Sequence, residues 1–324
     1  MFRWQDTNRD GQVQAAEIGK LLRVFGGPHS ALAPGIARPF TDEFSFGVEQ
    51  NVGAGFSGSI RFFRRDDQHL LALNNVGVPF SDYTPVLYHD PGNDGIFGTP
   101  DDQVLTLYNR LPSALGKDFL VLGNHGFHAS YKGMEARLEK RLFHRWAFAA
   151  SFTAGRTLAA TSPGNSVVAD DTGFLGALGS DPNTFLFAQG RTHFDRAFTG
   201  KISGYYTAPL GFHVGVVASY YDGLPFGRLL FINGFNQGPF FVRATPVGHP
   251  GGFQTELNAT LDARLARDFA LPRGMLSGYL DVFNVLNANS NTLESALTGP
   301  AFLTRVPLAV EAPRTARLGV EWTF

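Results

Sequence analysis

Apolar and polar residues alternate with a period of two over long stretches of this chain. The final stretch shows it most clearly. Ala316, Leu318, Val320, Trp322 and Phe324 fall on one side, and Thr315, Arg317, Gly319, Glu321 and Thr323 on the other. Such a period marks a strand with one apolar and one polar face. The pattern recurs upstream in pairs. Phe44, Phe46 and Val48 precede a turn at 51–54, and Phe56, Gly58, Ile60 and Phe62 follow it. Met134, Ala136 and Leu138 run to a turn at 143–145, and Trp146, Phe148, Ala150, Phe152 and Ala154 return. Phe198, Ile202 and Tyr206 face Phe212, Val216 and Tyr220 across 208–211, and Leu257 through Leu265 lead to a turn at 271–274. Hairpins are therefore expected over 41–66, 127–157, 192–221 and 253–287, followed by a last strand over 313–324.

The connections between these hairpins are long: 67–118, 158–190, 222–252 and 288–312. They read as loops, the first polar and turn-rich with one brief strand over 104–108, and the third rich in Gly, Pro and Phe. Long connections at one end and short turns at the other are the habit of a transmembrane β-barrel, and a soluble sandwich has no reason for that segregation. Phe143 and Trp146, at a turn end, suit an interfacial aromatic girdle. Glu135, Arg137, Glu139 and Arg141 lie on one polar face and Asn258, Asp262 and Arg264 on another, and of these Glu135, Arg137, Asp262 and Arg264 read as a charge ladder facing a barrel lumen. The expected fold is all-β: an antiparallel transmembrane β-barrel portion, about 9–10 strands of a larger barrel, with a short EF-hand-like loop and a helix near the N-terminus. Residues 1–40 are expected to form an extracellular loop region, and residues 41–324 the C-terminal part of the barrel.

Composition supports this reading. The chain of 324 residues carries a net charge of -1, and only 17% of its residues are charged; soluble domains average about 25%. Its mean hydropathy is -0.06 and its pI about 6.8. There is no basic excess to recruit a nucleic acid. Apolar mass sits in 31 Phe scattered among Gly, Ser, Thr and Asn. With no cysteine, disulfides, zinc–thiolate sites and a Cys nucleophile are excluded. No apolar run reaches the roughly 18 residues of a membrane helix, and the first residues hold no apolar signal core. The chain is therefore expected to be a fragment.

One stretch carries metal-binding chemistry. Asp6, Asn8 and Asp10 stand at loop positions 1, 3 and 5 of an EF-hand pattern, with Gly11 at the sharp turn. Gln12 offers a backbone carbonyl, Gln14 a water-mediated contact, and Glu17 a bidentate carboxylate. These residues are a candidate Ca2+ site, and 17–25 reads as a short amphipathic helix. The competing reading is an Asx-turn before a helix. A second acid-rich stretch over 90–102 reads as a solvated loop in preference to another calcium site.

Other motifs lead nowhere. Gly53, Gly55 and Gly58 match a dinucleotide fingerprint by letter, but a strand follows instead of a helix. His125 and His128 lack a third ligand at useful spacing. No nucleophile elbow and no phosphate loop occur. No enzyme is expected, and a soluble β-rich enzyme would need a buried polar pocket.

Taken in order, several segments resemble the C-terminal half of a TonB-dependent outer-membrane receptor of the Oar-like type. They are Pro39 through Glu43 with Gly47 and Glu49, Tyr131 through Glu135 with Lys140, Leu142 and Trp146, Tyr221 through Phe226, Leu280 through Asn287, and Pro313, Arg314, Leu318, Gly319 and Phe324. The resemblance covers essentially the whole chain, and it includes an Asp-x-Asn-x-Asp-Gly loop before the first strand. It implies a 22-stranded, plugged barrel that imports a large scarce ligand such as an iron chelate. The partners it implies are outer-membrane lipid, a missing N-terminal plug with the remaining barrel strands, and that unidentified ligand. The departure from the family is the absence of plug, TonB-contact segment and signal. The expectation is a fragment that is not transport-competent alone, forming an open curved sheet or a smaller ring. The alternative is a calcium-binding β-rich interaction protein.

Overall fold

The computed structural model describes residues 2–4, 7–8, 14–21, 29–160, 175, 177–192, 195–248 and 252–324. Nine long strands form one antiparallel sheet in which each pairs with the next along the chain. They are β1 (Phe40–Gly53), β2 (Phe56–Gln68), β3 (Ala129–Phe143), β4 (Trp146–Ala160), β5 (Phe198–Thr207), β6 (Phe212–Tyr221), β7 (Asn258–Leu271), β8 (Gly274–Phe283) and β9 (Thr315–Thr323). A short strand, Gln189–Arg191, adds to the end of β4. β1 and β9 are the two edges, and among the described residues they do not pair with each other.

All four expected hairpins are present, and their turns are tight for identifiable reasons. His144 and Arg145 both take positive φ, 52° and 71°, the backbone of a type I′ turn, whose twist matches that of the strands it joins. Gly274 has φ 110°, and a Cβ there would stand 2.0 Å from the Thr323 carbonyl oxygen. The β7–β8 turn therefore needs glycine to lie against the end of β9.

Register converts alternation into continuous rows. Val48, Ile60, Ala136, Phe152, Gly200, Tyr220 and Ala259 stand side by side across β1–β7. The next row is Gln50, Gly58, Leu138, Ala150, Ile202, Ala218 and Leu261. Among the described residues no second layer covers this face: Phe46 is 60% exposed, Ile202 55% and Leu318 82%. An apolar patch of this extent requires an apolar solvent. At the turn end of the same face, Lys140 is buried, donates from Nζ to the carbonyls of Phe143 (2.7 Å) and Trp146 (2.9 Å), and lies 3.9 Å from the Trp146 ring centroid. A cation on the apolar face is thus neutralised by carbonyl dipoles and a ring face.

The compact cores lie elsewhere, in the long connections. Tyr83–Asp90 pairs with Gln103–Arg110, and Leu229–Ile232 with Phe240–Arg243. Leu105, Leu107, Leu230, Ile232, Val242 and Ala244 form one buried cluster between these hairpins. Each large aliphatic buried there contributes about 2 kcal/mol. A second cluster joins Leu70, Ala72, Leu175, Leu178 and Ala188 to Ala129, Ala159 and Ala160 at the ends of β3 and β4, which seats the folded loops on the sheet. Where they are described, the connections therefore form a folded cap and not merely the long loops expected. Hydrophobic spacing in them is short and interrupted by turns, so the pattern is diluted.

The expected helix over 17–25 is corrected where it is described. Ala15–Glu17 is a single 3-10 turn, and Ile18–Leu21 is a strand paired with Phe2–Trp4. Gly19 costs about 1 kcal/mol in a helix interior relative to Ala, and the ladder satisfies the same backbone groups. Residues 22–25 lie outside the described residues.

Candidate functional site

Strands β1–β9 place polar side chains in rows on the face opposite the apolar one. Glu49, Ser59, Arg137, Ser151, Lys201, Ser219 and Thr260 stand in register across β1–β7. Arg61 lies opposite Glu135 one step along. On β7, β8 and β9, Arg264, Asp281 and Arg317 are directly opposed. Asp281 receives Arg264 Nη2 at 2.8 Å and Arg317 Nη2 at 2.6 Å, and Arg264 stacks 4.7 Å over Tyr279. The expected charge ladder is thus present, with Asp281 and Arg317 as members that the sequence reading did not single out. Their signal is the same one, an alternating strand with a charge on its polar side.

Near the short turns, Tyr205 Oη lies 2.7 Å from His213 Nδ1, His213 Nε2 lies 2.8 Å from Asp268 Oδ2, and Ser277 Oγ donates to Asp268 Oδ1 at 2.6 Å. Ser277 bonds the carboxylate and not the imidazole, so this hydrogen-bonded series does not join a serine to its base. It ties β5, β6, β7 and β8 together.

At the other end the cap encloses buried arginines, Arg228 and Arg110 among them. Arg228 is 1% exposed and faces Asp90, which is 0% exposed. Its Nη1 donates to Asp90 Oδ1 at 2.8 Å and to Thr298 Oγ1 at 2.7 Å, and Nη2 closes a second bond to Asp90. Gln103 Nε2 adds a bond to Asp90 at 2.8 Å. Arg110 donates to Asp118 at 2.8 Å and to the Tyr83 hydroxyl at 3.2 Å. Burial, with the nearby Asp181 carboxylate, pushes the Tyr83 phenol up to about 12. Burial also raises Asp181, only partly offset by the Asn183 N–H and amide. Burial would raise Asp118 too, but hydrogen bonds from Arg110 and Asn75 outweigh it and hold that carboxyl low.

The acid-rich stretch over 90–102 is used internally. Asp101 accepts the Asn93 N–H and the Thr99 hydroxyl, Asp94 the Ile96 N–H, and Asp102 the Gly98 N–H. Asp90 is the exception: its acidic neighbours gave no sign that it is buried, and its partner Arg228 is 138 residues away.

Of the candidate calcium ligands, Asp6, Asp10 and Gln12 lie outside the described residues. Glu17 is 4% exposed, and its Oε1 accepts the Thr7 N–H at 2.9 Å, the Thr7 hydroxyl at 3.0 Å and the Asn8 N–H at 3.4 Å. Loop positions 2, 3 and 12 are thus together. Among the described residues no three His, Asp or Glu side chains converge as a metal site.

An outer membrane beta barrel domain model matches residues 9–224. No curated protein is similar to this chain. Similar solved structures include the outer membrane transporter YddB of Escherichia coli, at 11% identity and TM-score 0.52, covering 91% of this chain and 34% of that one. The siderophore receptor PirA of Acinetobacter baumannii follows at 12% identity and TM-score 0.48, covering 88% and 32%. The ferripyoverdine receptor of Pseudomonas aeruginosa, at 12% identity and TM-score 0.47, covers 89% and 27%. This chain thus spans about a third of the transporter's length. The likeness to that transporter is one of fold, and the apolar face described above then has its solvent in lipid. The chain belongs to the outer membrane beta-barrel domain family and resides in the outer membrane.

Proposed function

We propose that this chain is part of the barrel wall of a TonB-dependent receptor of the Oar-like type, with the plug and the remaining strands supplied by further polypeptide. Its ligand on this reading is a large scarce solute such as a metal chelate, taken up by the whole receptor. The chain alone is not transport-competent. One observation carries the reading. Among the described residues the sheet is a nine-strand meander whose outer strands, β1 and β9, pair with nothing beyond it. Strand number is odd, so β1 and β9 both run from the long connections toward the short turns. An antiparallel closure therefore needs an odd number of additional strands, because a ring of β1–β9 alone would need a parallel seam. Open sheet edges do not occur in hydrocarbon.

Photo-crosslinking in the outer membrane tests this. A crosslinking side chain at Val48 on β1 or Val320 on β9 is expected to capture peptides from outside these 324 residues, and those peptides should belong to a polypeptide with a plug. The same probe at Ile202, mid-sheet on β5, should capture none. Crosslinks between β1 and β9, or capture of lipid alone at both edges, would sink the proposal.

A second reading concerns Asp6, Asn8, Asp10, Gln12 and Glu17 as a Ca2+ site that orders the start of the extracellular region. It is supported by Glu17 lying back against residues 7 and 8, as the twelfth loop position must. Calorimetric titration should then show binding with a Kd on the order of 1 μM, lost in Glu17→Gln. A flat titration of the unsubstituted chain removes this reading.

A further inference from the structure

The connection between β6 and β7 carries a reactive pair at its tip. Its hairpin, Leu229–Ile232 with Phe240–Arg243, turns through residues 233–239. Asn233 and Gly234 open that turn, and both are exposed. Asn233 is the one asparagine in the sequence that glycine follows. Its side chain folds over the next peptide bond: the Gly234 N–H donates to Asn233 Oδ1 at 2.8 Å. That bond brings the Gly234 nitrogen close to Asn233 Cγ. The atoms between the two, Cβ, Cα and the backbone carbonyl carbon of Asn233, are those of a five-membered ring. Gly234 has no side chain to screen its nitrogen, and nothing lies within 4 Å of where a Cβ would stand. Its φ of 82° is one that favours glycine.

We propose that Asn233–Gly234 is a site of spontaneous covalent modification, at which the Gly234 nitrogen closes a succinimide on Asn233 and water opens it. In the first step the bond from nitrogen to Cγ forms and the Cγ–Nδ2 bond breaks. Nδ2 leaves as ammonia, taking the proton of the Gly234 N–H. In the second step water adds to one imide carbonyl and splits its bond to nitrogen. Opening at Cγ gives aspartate. Opening at the backbone carbonyl gives isoaspartate, with an extra carbon in the main chain. Water is the only co-reactant, and either product puts a carboxylate where a neutral amide stood. Comparable residues are held back. Asn236, in the same turn, gives Nδ2 to the Arg110 carbonyl at 2.7 Å and its N–H to Asn109 Oδ1 at 2.9 Å, and Gln237 follows it. Asn284 is buried, and its Nδ2 is bound to the carbonyls of Ala288 and Ala312 at 2.8 and 2.7 Å. Asp94 precedes Gly95, but its Oδ1 accepts the Ile96 N–H at 2.8 Å, and a carboxylate is a poorer electrophile than an amide.

The test ages the full chain, folded in phospholipid vesicles, in mildly alkaline buffer made with heavy-oxygen water, and then digests it with trypsin. Asn233 and Asn236 fall between Arg228 and Arg243 in one tryptic peptide, so each is a standard for the other. Amide loss with uptake of heavy oxygen is expected at Asn233, about tenfold or more faster than at Asn236, a barrier difference of about 1.4 kcal/mol. Part of the product should be isoaspartate, read by its enzymatic methylation. Gly234→Ala should slow the loss at Asn233 by about tenfold or more. Alanine is strained at that φ, so the unsubstituted chain unfolded in urea supplies a comparison that needs no variant to fold. The folded chain should react at least as fast as the unfolded one. Three results would each overturn the proposal. Protection of Asn233 in the folded chain would mean that the cap holds the pair out of the reacting geometry. Equal rates at Asn233 and Asn236 would mean that the pair directs nothing. Aspartate without isoaspartate would mean that water attacks the amide directly and no imide forms.

Discussion

Ile202→Arg is expected to abolish stable insertion of this chain. Ile202 stands in the middle of β5, in the row Leu138, Ala150, Ile202, Ala218 and Leu261, and is 55% exposed on the apolar face. An arginine there meets hydrocarbon at mid-depth, at a cost of about 2–4 kcal/mol. No acidic side chain shares the row. The neighbouring Lys201 faces the opposite side, in register with Ser151 and Ser219. Lys201→Gln should therefore leave insertion intact. The measurement is the fraction of chain recovered in urea-washed outer membrane, with the urea midpoint in bilayers as a second reading. Equal recovery of Ile202→Arg and the unsubstituted chain would mean that this face does not meet lipid. Equal loss in both variants would mean that the two faces are not distinct.

The contrast between residues 201 and 202 is also a measure of what sequence alone could reveal. A period of two makes neighbouring residues opposite in character, and four hairpins with short turns repeat the signal. The strands, their faces and the polar ladder at Glu135, Arg137, Asp262 and Arg264 were legible for that reason. The open edges at β1 and β9 followed from the strand count together with the resemblance. Three things were not legible. Ile18–Leu21 reads as an apolar helical face, but a backbone ladder to Phe2–Trp4 takes it, and a short apolar run cannot choose between the two. The cap's core draws Leu107, Ile232 and Val242 from separate connections, and no local period links them. A cation row on β2, β3 and β4 was present as letters, but it becomes a row only when register places Arg64, Lys132 and Arg156 opposite one another.

Asp90→Asn is expected to unlatch the cap while leaving the sheet in place. Asp90 lies at the end of the Tyr83–Asp90 strand, Arg228 in the connection between β6 and β7, and Thr298 in that between β8 and β9. One ion pair thus fastens three of the long connections. The substitution keeps shape and most hydrogen-bonding capacity but removes the charge, leaving a guanidinium that is 1% exposed without a counter-ion. Breaking a buried pair from one side costs about 3–5 kcal/mol, comparable with the whole stability of a small folded unit. Cleavage by trypsin within 222–257 should rise steeply, while heat and urea resistance of the membrane-embedded strands stays near that of the unsubstituted chain. Arg228→Met alone leaves Asp90 as the orphaned charge and should do the same. The double variant Asp90→Leu, Arg228→Met removes both charges and fills the space with apolar atoms, so much of the protease resistance should return. If the double variant is as sensitive as either single one, the cap is fastened by the bonds themselves and not by avoidance of a buried unpaired charge. If Asp90→Asn changes nothing, the pair is not what holds the three connections together, and the apolar cluster around Leu107 and Ile232 holds the cap alone.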